Sequence, residues 1–219
     1  NLVRSIHEQG LDLSIVGISE IHGYLYDPKG LRLKDVIEKK MDTLPSFKKG
    51  TTPDMIKEAN ADILVELTPT NAKTGEPGYT HIKLALEKGM NVVASNKGPF
   101  ITHFQDIMKL SKQKGKSVRY DATVGGAIPT IALITDLLQG DSVQSVFGIL
   151  NGTTNYILST MYHQNRPFDN VLREAQELGY AEADPTYDID GIDAAGKLVI
   201  LVNTLFGMDK KVDDVKITG

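Results

Sequence analysis

Two short apolar runs, residues 63–67 (ILVEL) and 91–94 (NVVA), flank a helical stretch at 81–88, and this arrangement restricts the fold more than any other feature. Each run is too short to make a useful helix and suits a strand. Two strands joined through a helix need a crossover connection, and crossover-connected strands lie parallel. The alternation extends in both directions. Residues 13–19 (LSIVGIS) read as another buried parallel strand, and 33–41, 53–59 and 104–114 read as helices. Residues 1–9 read as the tail of a helix closed by Gly10. The expectation is an α/β chain with a parallel, doubly wound, Rossmann-like sheet.

Such sheets hold ligands beyond the carboxyl ends of their strands. Three loops are expected at that edge: Thr68-Pro69-Thr70, Ser95-Asn96-Lys97 and Ser19-Glu20. A lone loop lysine is usually solvated, but Lys97 directly follows a buried strand at the ligand edge. A dinucleotide site also needs a glycine-rich turn after its first strand, and no GxGxxG occurs in this sequence. The expectation is that the chain starts just past that turn, so the first strand and the turn are missing. The competing reading is that no dinucleotide is bound. Glu20 is placed to accept from a ribose 2′-hydroxyl, whereas Lys29 and Arg32 are placed to hold a 2′-phosphate. NAD and NADP therefore both stay open.

The character of the chain changes near Tyr120. Residues 122–129 (ATVGGAIP) are small and glycine-rich, which lets backbone lie close to a ligand, an ion or other backbone. Residues 131–138 read as a helix stopped at Gly140, and 143–150 (VQSVFGIL) have strand composition. Helices are expected at 156–163 and 169–178, the second capped by Gly179. The lobes are expected to divide between 118 and 129, giving a nucleotide-binding domain at 1–121 and an α+β domain at 122–219.

Residues 179–197 (GYAEADPTYDIDGIDAAGK) carry the densest chemistry. Glu182, Asp184, Asp188, Asp190 and Asp193 crowd there, followed by Lys197 at the start of an apolar helix. Asp193 and Lys197 are four residues apart, so on a helix they share one face. A lysine beside a carboxylate at a pocket wall can exchange a proton with an oxygen without leaving its place. An exposed i,i+4 ion pair in a polar loop is the plainer alternative.

Composition removes several classes. The chain has 219 residues and a formal net charge of −4, which argues against nucleic acid or anionic membrane as the main partner. No apolar run approaches the length of a membrane span. With no cysteine, a thiolate metal site, a disulfide framework and a thiohemiacetal route are all excluded. The lack of cysteine also fits a cytoplasmic protein. His7, His22, His81, His103 and His163 have no metal-ligand spacing. The run KLSKQKGK at 109–116 reads as a solvated helix end.

Four of these segments together resemble the homoserine dehydrogenase family: GYAEADPTYDIDGIDAAGK, YDATVGGAIP, NGTTNYIL and SNKGP, in the family's order across residues 62–197. The resemblance implies a nucleotide-binding domain followed by a substrate and dimerisation domain with its own sheet. It implies reversible hydride transfer between NADP or NAD and L-aspartate 4-semialdehyde, giving L-homoserine, in threonine, methionine and isoleucine biosynthesis. By the same resemblance, Lys197 donates the proton to the carbonyl oxygen, Asp193 holds the substrate hydroxyl end, and Lys97 lies near both nicotinamide and substrate. Glu182 receives the substrate amino group, with Asp188, Thr153 and Tyr180 lining the substrate site. Thr68 and Gly179 stand beside the cofactor. Backbone carbonyls of Val124, Gly126 and Ile128 match a Na⁺ site, although Asp121 stands where the family often has glutamate. A homodimer is implied as well. The segment is shorter than the family's catalytic domain, so the substrate domain is expected to be incomplete at its C-terminal end and the piece alone to bind cofactor poorly and turn over little, or be inactive. The alternatives are a dehydrogenase for another small amino-acid aldehyde, or a non-catalytic nucleotide-binding or dimerising module on the same scaffold.

Overall fold

The computed structural model describes residue 10, residues 12–138 and residues 140–218. The helix tail expected at 1–9 lies outside the described residues. The chain divides into two compact units. The first comprises the chain up to Val65 with Thr80–Val92 and Leu110–Ser117; the second comprises Glu66–Tyr79, Val93–Lys109 and the chain from Val118 onward.

The first unit contains an antiparallel sheet of β1 (Gly17–Glu20), β2 (Gly23–Tyr26) and β3 (Phe47–Lys48) in sequential order. This corrects the expectation of a parallel strand at 13–19. The strand begins later, at Gly17, and residues 21–22 turn it back on itself with Glu20 opposite Gly23. A two-residue connection can only make an antiparallel hairpin. Ser19-Glu20 therefore ends a hairpin strand and does not belong to a parallel ligand edge.

Helix α1 (Leu33–Glu38) is shorter than the expected 33–41, and α2 (Thr52–Glu58) follows β3. The start of α2 is written in its sequence. The Thr51 side chain accepts from the Asp54 amide, the Asp54 carboxylate accepts from the Thr51 amide, and Pro53 lies in the first turn. This is a capping box, which satisfies two otherwise orphaned amides. At the other end, the Lys88 ammonium donates to the carbonyls of Ile56 at 2.9 Å and Ala59 at 2.6 Å. The last turn of α2 thus has a cation on its negative end. Leu25, Met55, Ile56, Ile82, Leu86 and Val92 are all buried in this unit.

A second sheet has the order β4 (Ile63–Glu66), β5 (Asn91–Ala94), β6 (Val118–Arg119) and is parallel. The crossover from β4 to β5 is α3 (Gly78–Lys88), as the spacing requires. Asn91 N donates to Asp62 O at 2.8 Å and Ser95 N to Glu66 O at 3.1 Å. One detail differs from a strand covered on both faces. Leu64, Glu66, Val92 and Ala94 are buried, but Ile63, Val65 and Val93 are exposed on the alternate positions. The α/β class holds, with one face of this sheet open among the described residues.

The remaining elements are helical. α4 (Gly98–Thr102) and α5 (Phe104–Lys114) follow β5. Phe100 stacks on Tyr120 with centroids 4.7 Å apart, and Phe104 meets the same ring edge-on at 5.9 Å. α6 (Thr130–Ala132) continues as a π-helical turn at Leu133–Leu137, where a plain helix is expected. An apolar pattern cannot tell i→i−4 from i→i−5 bonding, so this change of pitch is invisible in the sequence. α7 (Gly152–Gln164) and α8 (Phe168–Glu177) bury Ile157, Val171, Ala175 and Ala181 together. α8 ends where Gly179 predicts: Tyr180 N bonds Ala175 O, Gly179 N bonds Gln176 O, and Gly179 takes φ +78°. That is a Schellman cap, and it wants glycine at the left-handed position. Short α9 (Thr186–Ile189) leads to α10 (Ile192–Phe206), which packs on α4 and buries Val199, Ile200 and Leu201. No helix among the described residues is long and apolar enough to cross a membrane.

Residues 143–150 do not form the expected strand. A strand exists only against a partner, and no ladder pairs with this run among the described residues. Phe147 and Ile149 remain exposed.

Removal of the Thr51 hydroxyl tests the cap of α2. Thr51→Ala is expected to cost about 1 kcal/mol, which for a chain of this size lowers the thermal midpoint by about 2–4 °C. Circular dichroism melts of the two proteins measure it.

Candidate active site

The site is built around the first turn of α10. Asp193 is the second residue of that helix, behind Gly191, which takes φ +74° as its N-cap. A carboxylate there faces the positive end of a 15-residue helix. Its side chain is only 4% exposed. Lys197, one turn on, places its ammonium 2.9 Å from Asp193 Oδ2, as the i,i+4 spacing predicts. The same ammonium donates to the carbonyl of Leu150 at 2.8 Å. Lys97, 96 positions earlier in the chain, donates to Asp193 Oδ1.

Lys97 reaches this point because the loop after β5 is braced. Asn96 is buried, its Oδ1 accepts from Gly98 N at 3.0 Å, and its amide donates to Thr68 Oγ1 at 3.0 Å. Thr68 in turn donates from its hydroxyl and amide to the buried Glu66 carboxylate, the amide at 2.8 Å. The loops after β4 and β5 are thereby tied to each other. Gly98 is required by this closure, since a β-carbon there would stand 2.7 Å from the Asn71 carbonyl oxygen.

A third donor completes the surroundings of Asp193. Asn151 caps α7, accepting from Thr154 N at 2.8 Å through its Oδ1. Its side-chain nitrogen donates to Asp193 Oδ2 at 2.9 Å and to Asp188 Oδ1 at 2.6 Å. Burial works to raise the Asp193 pKa. Hydrogen bonds from Lys97, Asn151 and Lys197 outweigh it, so the carboxyl is held below its ordinary range. Tyr187 lies alongside, with its ring 5.3 Å from the Lys97 ammonium. Burial first, then the negative charges of Asp193 and Asp188, push its phenol up to about 12.

The structure therefore brings Lys97, Asp193, Lys197 and Asp188 into one hydrogen-bonded group. Thr153 and Tyr180 form a second pair, through a bond from Thr153 Oγ1 to the Tyr180 carbonyl at 2.7 Å. Tyr180 also stacks on Tyr156 at 4.6 Å. Thr68 joins the first group only through Asn96 and the loop of Lys97. Glu182 is exposed, and its side chain forms no ion pair among the described residues. Gly179 is exposed at the cap of α8. In the glycine-rich segment, the Ile128 carbonyl already accepts from Thr130 N at 2.7 Å, and the Asp121 carboxylate accepts from Ala132 N at 2.7 Å. No cluster of three or more His, Asp or Glu with metal-binding geometry occurs among the described residues.

Three participants were not among the sequence candidates: Asn151, Asn96 and Tyr187. Asn151 had a signal, since asparagine before a helix is a favoured cap. Asn96 had none beyond its position in the loop after β5, and Tyr187 none beyond its place in the acidic segment.

A buried carboxylate gripped by two ammoniums, beside the carboxyl ends of parallel strands, marks the candidate site of a Rossmann-like fold. Comparison with known proteins agrees. The family profile described as homoserine dehydrogenase matches residues 129–219. The homoserine dehydrogenase of Methanocaldococcus jannaschii is 42% identical over 214 residues, covering 95% of this chain and 64% of that protein. A crystal structure from Archaeoglobus fulgidus that carries the homoserine dehydrogenase name superposes with a TM-score of 0.88 at 37% identity, over 100% of this chain and 67% of its own. A hyperthermophilic archaeal homoserine dehydrogenase in complex with NADPH gives 0.79 at 26% identity, over 94% of this chain and 66% of its own. The chain belongs to the homoserine dehydrogenase family. It spans less than two thirds of the M. jannaschii relative.

The depressed Asp193 pKa gives a pH signature. As pH falls, the unfolded chain takes up this proton first, near the usual aspartate value of about 3.9. The stabilisation is therefore complete above that value and is lost as pH falls through the lower, folded one. Asp193→Asn leaves two ammoniums without their counter-charge. Both lysines are about one fifth exposed, so the expected cost at pH 7 is about 3 kcal/mol, the low end for breaking a buried pair. Urea titrations from pH 7 down to pH 3 should show the gap between variant and parent closing below about pH 4.

Proposed function

We propose that this chain is part of an NAD(P)-dependent homoserine dehydrogenase that interconverts L-aspartate 4-semialdehyde and L-homoserine. The observation that carries the reading is the single carboxylate, Asp193, bonded at once by Lys97 and Lys197. A non-catalytic module has no use for two ammoniums brought to one buried acid from distant parts of the chain. The NADPH complex of a structural neighbour supports a nicotinamide dinucleotide as cofactor. NADP and NAD both remain within the proposal.

The donor set fits a nicotinamide end. Thr68 and Lys97 follow the carboxyl ends of β4 and β5, where such sheets take ligands, and Lys97 presents an ammonium donor there. When bound, the cofactor supplies the hydride to the aldehyde carbon. Everything else falls to the chain. Lys197 gives one proton from its ammonium to the carbonyl oxygen, which becomes the homoserine hydroxyl, and is left as the amine. In the reverse direction the amine takes that proton back. Asp193 holds the hydroxyl end of the substrate and keeps Lys197 aimed through their 2.9 Å bond. The two ammoniums present positively charged donors at this point, which favours an oxygen on which negative charge develops. Glu182 receives the substrate ammonium, with Asp188, Thr153 and Tyr180 as further wall residues, and Gly179 stands beside the cofactor.

Residues 1–121 belong to the nucleotide-binding domain and 122–219 to the substrate and dimerisation domain. Carbonyls of Val124, Gly126 and Ile128 are offered as a Na⁺ site, with Ile128 O shared with Thr130. The protein acts as a cytoplasmic homodimer in threonine, methionine and isoleucine biosynthesis.

Two kinetic outcomes test this. Lys197→Ala is expected to lower kcat for homoserine oxidation about 100- to 10,000-fold, the range for losing a general acid–base group. Normal turnover in that variant would refute the proton-transfer role. Glu182→Gln is expected to raise KM for homoserine about 10-fold with kcat little changed, as removal of a uniform binding contact does.

A further inference from the structure

The side-chain amide of Asn151 can point only one way. Its Oδ1 accepts from the Thr154 amide at 2.8 Å and from the Thr154 hydroxyl at 3.0 Å. A backbone N–H can only donate, so the oxygen must face the start of α7 and the nitrogen must face the site. That nitrogen meets two acids, Asp188 Oδ1 at 2.6 Å and Asp193 Oδ2 at 2.9 Å. An asparagine amide carries two hydrogens, one for each acid, and its hydrogen-bonding capacity is then used in full. The two acids are otherwise unlike. Asp193 also has the ammoniums of Lys97 and Lys197. Asp188 is half-buried, and among the described residues its carboxylate has this one hydrogen bond and no ion pair.

Two carboxylates within one hydrogen-bond length of a single nitrogen repel each other, and without a donor between them one is pushed towards taking up a proton. We propose that Asn151 is a positioning residue for Asp193: its amide, locked by the cap of α7, gives one N–H to each acid and keeps Asp193 and Asp188 charged side by side. The amide supplies these donors without adding to the charge already brought by the two lysines. The groups that face Asp193 are then Lys97 from the loop after β5, Lys197 on its own helix, and Asp188 and Tyr187 on α9. The Tyr187 phenol, pushed up to about 12, stays neutral at acid and neutral pH. Asp184 and Asp190 are exposed, and Asp184 accepts from the Thr186 hydroxyl at 2.6 Å. The bearing of this role on the reaction rests on the reading above, in which Asp193 holds the substrate hydroxyl.

The test separates the cap from the bridge, with Asn151→Ser and Asn151→Ala in the otherwise unaltered protein. Serine still caps a helix but has one hydroxyl hydrogen for two acids, whereas alanine neither caps nor donates. The first readout is NMR of protein whose aspartates carry ¹³C at Cγ, a carbon that reports the protonation of its own carboxyl. The Asp193 signal is assigned by its loss in Asp193→Asn. Its titration midpoint is expected to rise by about one to two pH units in both variants, the equivalent of one hydrogen bond to a charged group. Adding Asp188→Asn to Asn151→Ser should bring that midpoint back towards the parent's, because the facing charge is gone. A midpoint that moves with alanine but not with serine would overturn the proposal and leave Asn151 a helix cap alone. A midpoint indifferent to Asp188→Asn would overturn the pairing of the two acids. The second readout is the pH profile of kcat/KM for homoserine, whose acid limb belongs to the free enzyme. That limb should move with the Asp193 midpoint. An NMR midpoint that rises while the acid limb stays in place would overturn the hydroxyl-binding role of Asp193, and with it the place of Asn151 in the reaction, but not the charge pair.

Discussion

Asp193 is the charge on which the rest of the second unit is organised. It lies in the first turn of α10, almost fully buried, where an unpaired carboxylate would protonate. It stays ionised because donors converge on it from three separate stretches of chain: Lys97 after β5, Asn151 before α7, and Lys197 one turn along α10. Each of these donors is fixed by something other than Asp193. The Lys97 loop is braced by Asn96, Asn151 is engaged as a helix cap, and Lys197 is held by the Leu150 carbonyl. The carboxylate is therefore a junction, and the surrounding loops are shaped to meet it.

Much of this could be read from the residues in advance. The i,i+4 pair of Asp193 and Lys197 is a statement about helix geometry, and the helix formed over the residues the pattern marked. Lys97 was accessible to the same reasoning through a fold rule, since a lysine directly after a buried parallel strand stands at the ligand edge. The caps of α2 and α8 were equally legible, because Thr51, Asp54 and Gly179 act within a few residues of themselves. Local interactions leave local traces.

What escaped the sequence depends on partners distant in the chain. Residues 13–19 have the apolar content of a buried parallel strand, and only the turn at 21–22 decides that the strand folds back. Residues 143–150 have strand composition but no ladder among the described residues, because β-structure is a property of pairs. Ile63 and Val65 look like core residues and are exposed, since the pattern cannot say which face of a sheet receives cover. Tyr187 reads as one more residue in an acidic loop until the fold brings Lys97 over its ring.

The two lysines differ in a way that matters for the proposed reaction. Proton transfer in a transition state needs a donor whose position is already set, because any searching costs rate. Lys197 meets that need: it is bonded to Asp193 Oδ2 and to the Leu150 carbonyl, and its helix carries it on a rigid element. Lys97 leaves a loop after β5, bonds the other oxygen of Asp193, and rests beside an aromatic face. Two identical ammoniums on one carboxylate are thus divided by their second contacts, a backbone carbonyl for Lys197 and an aromatic face for Lys97.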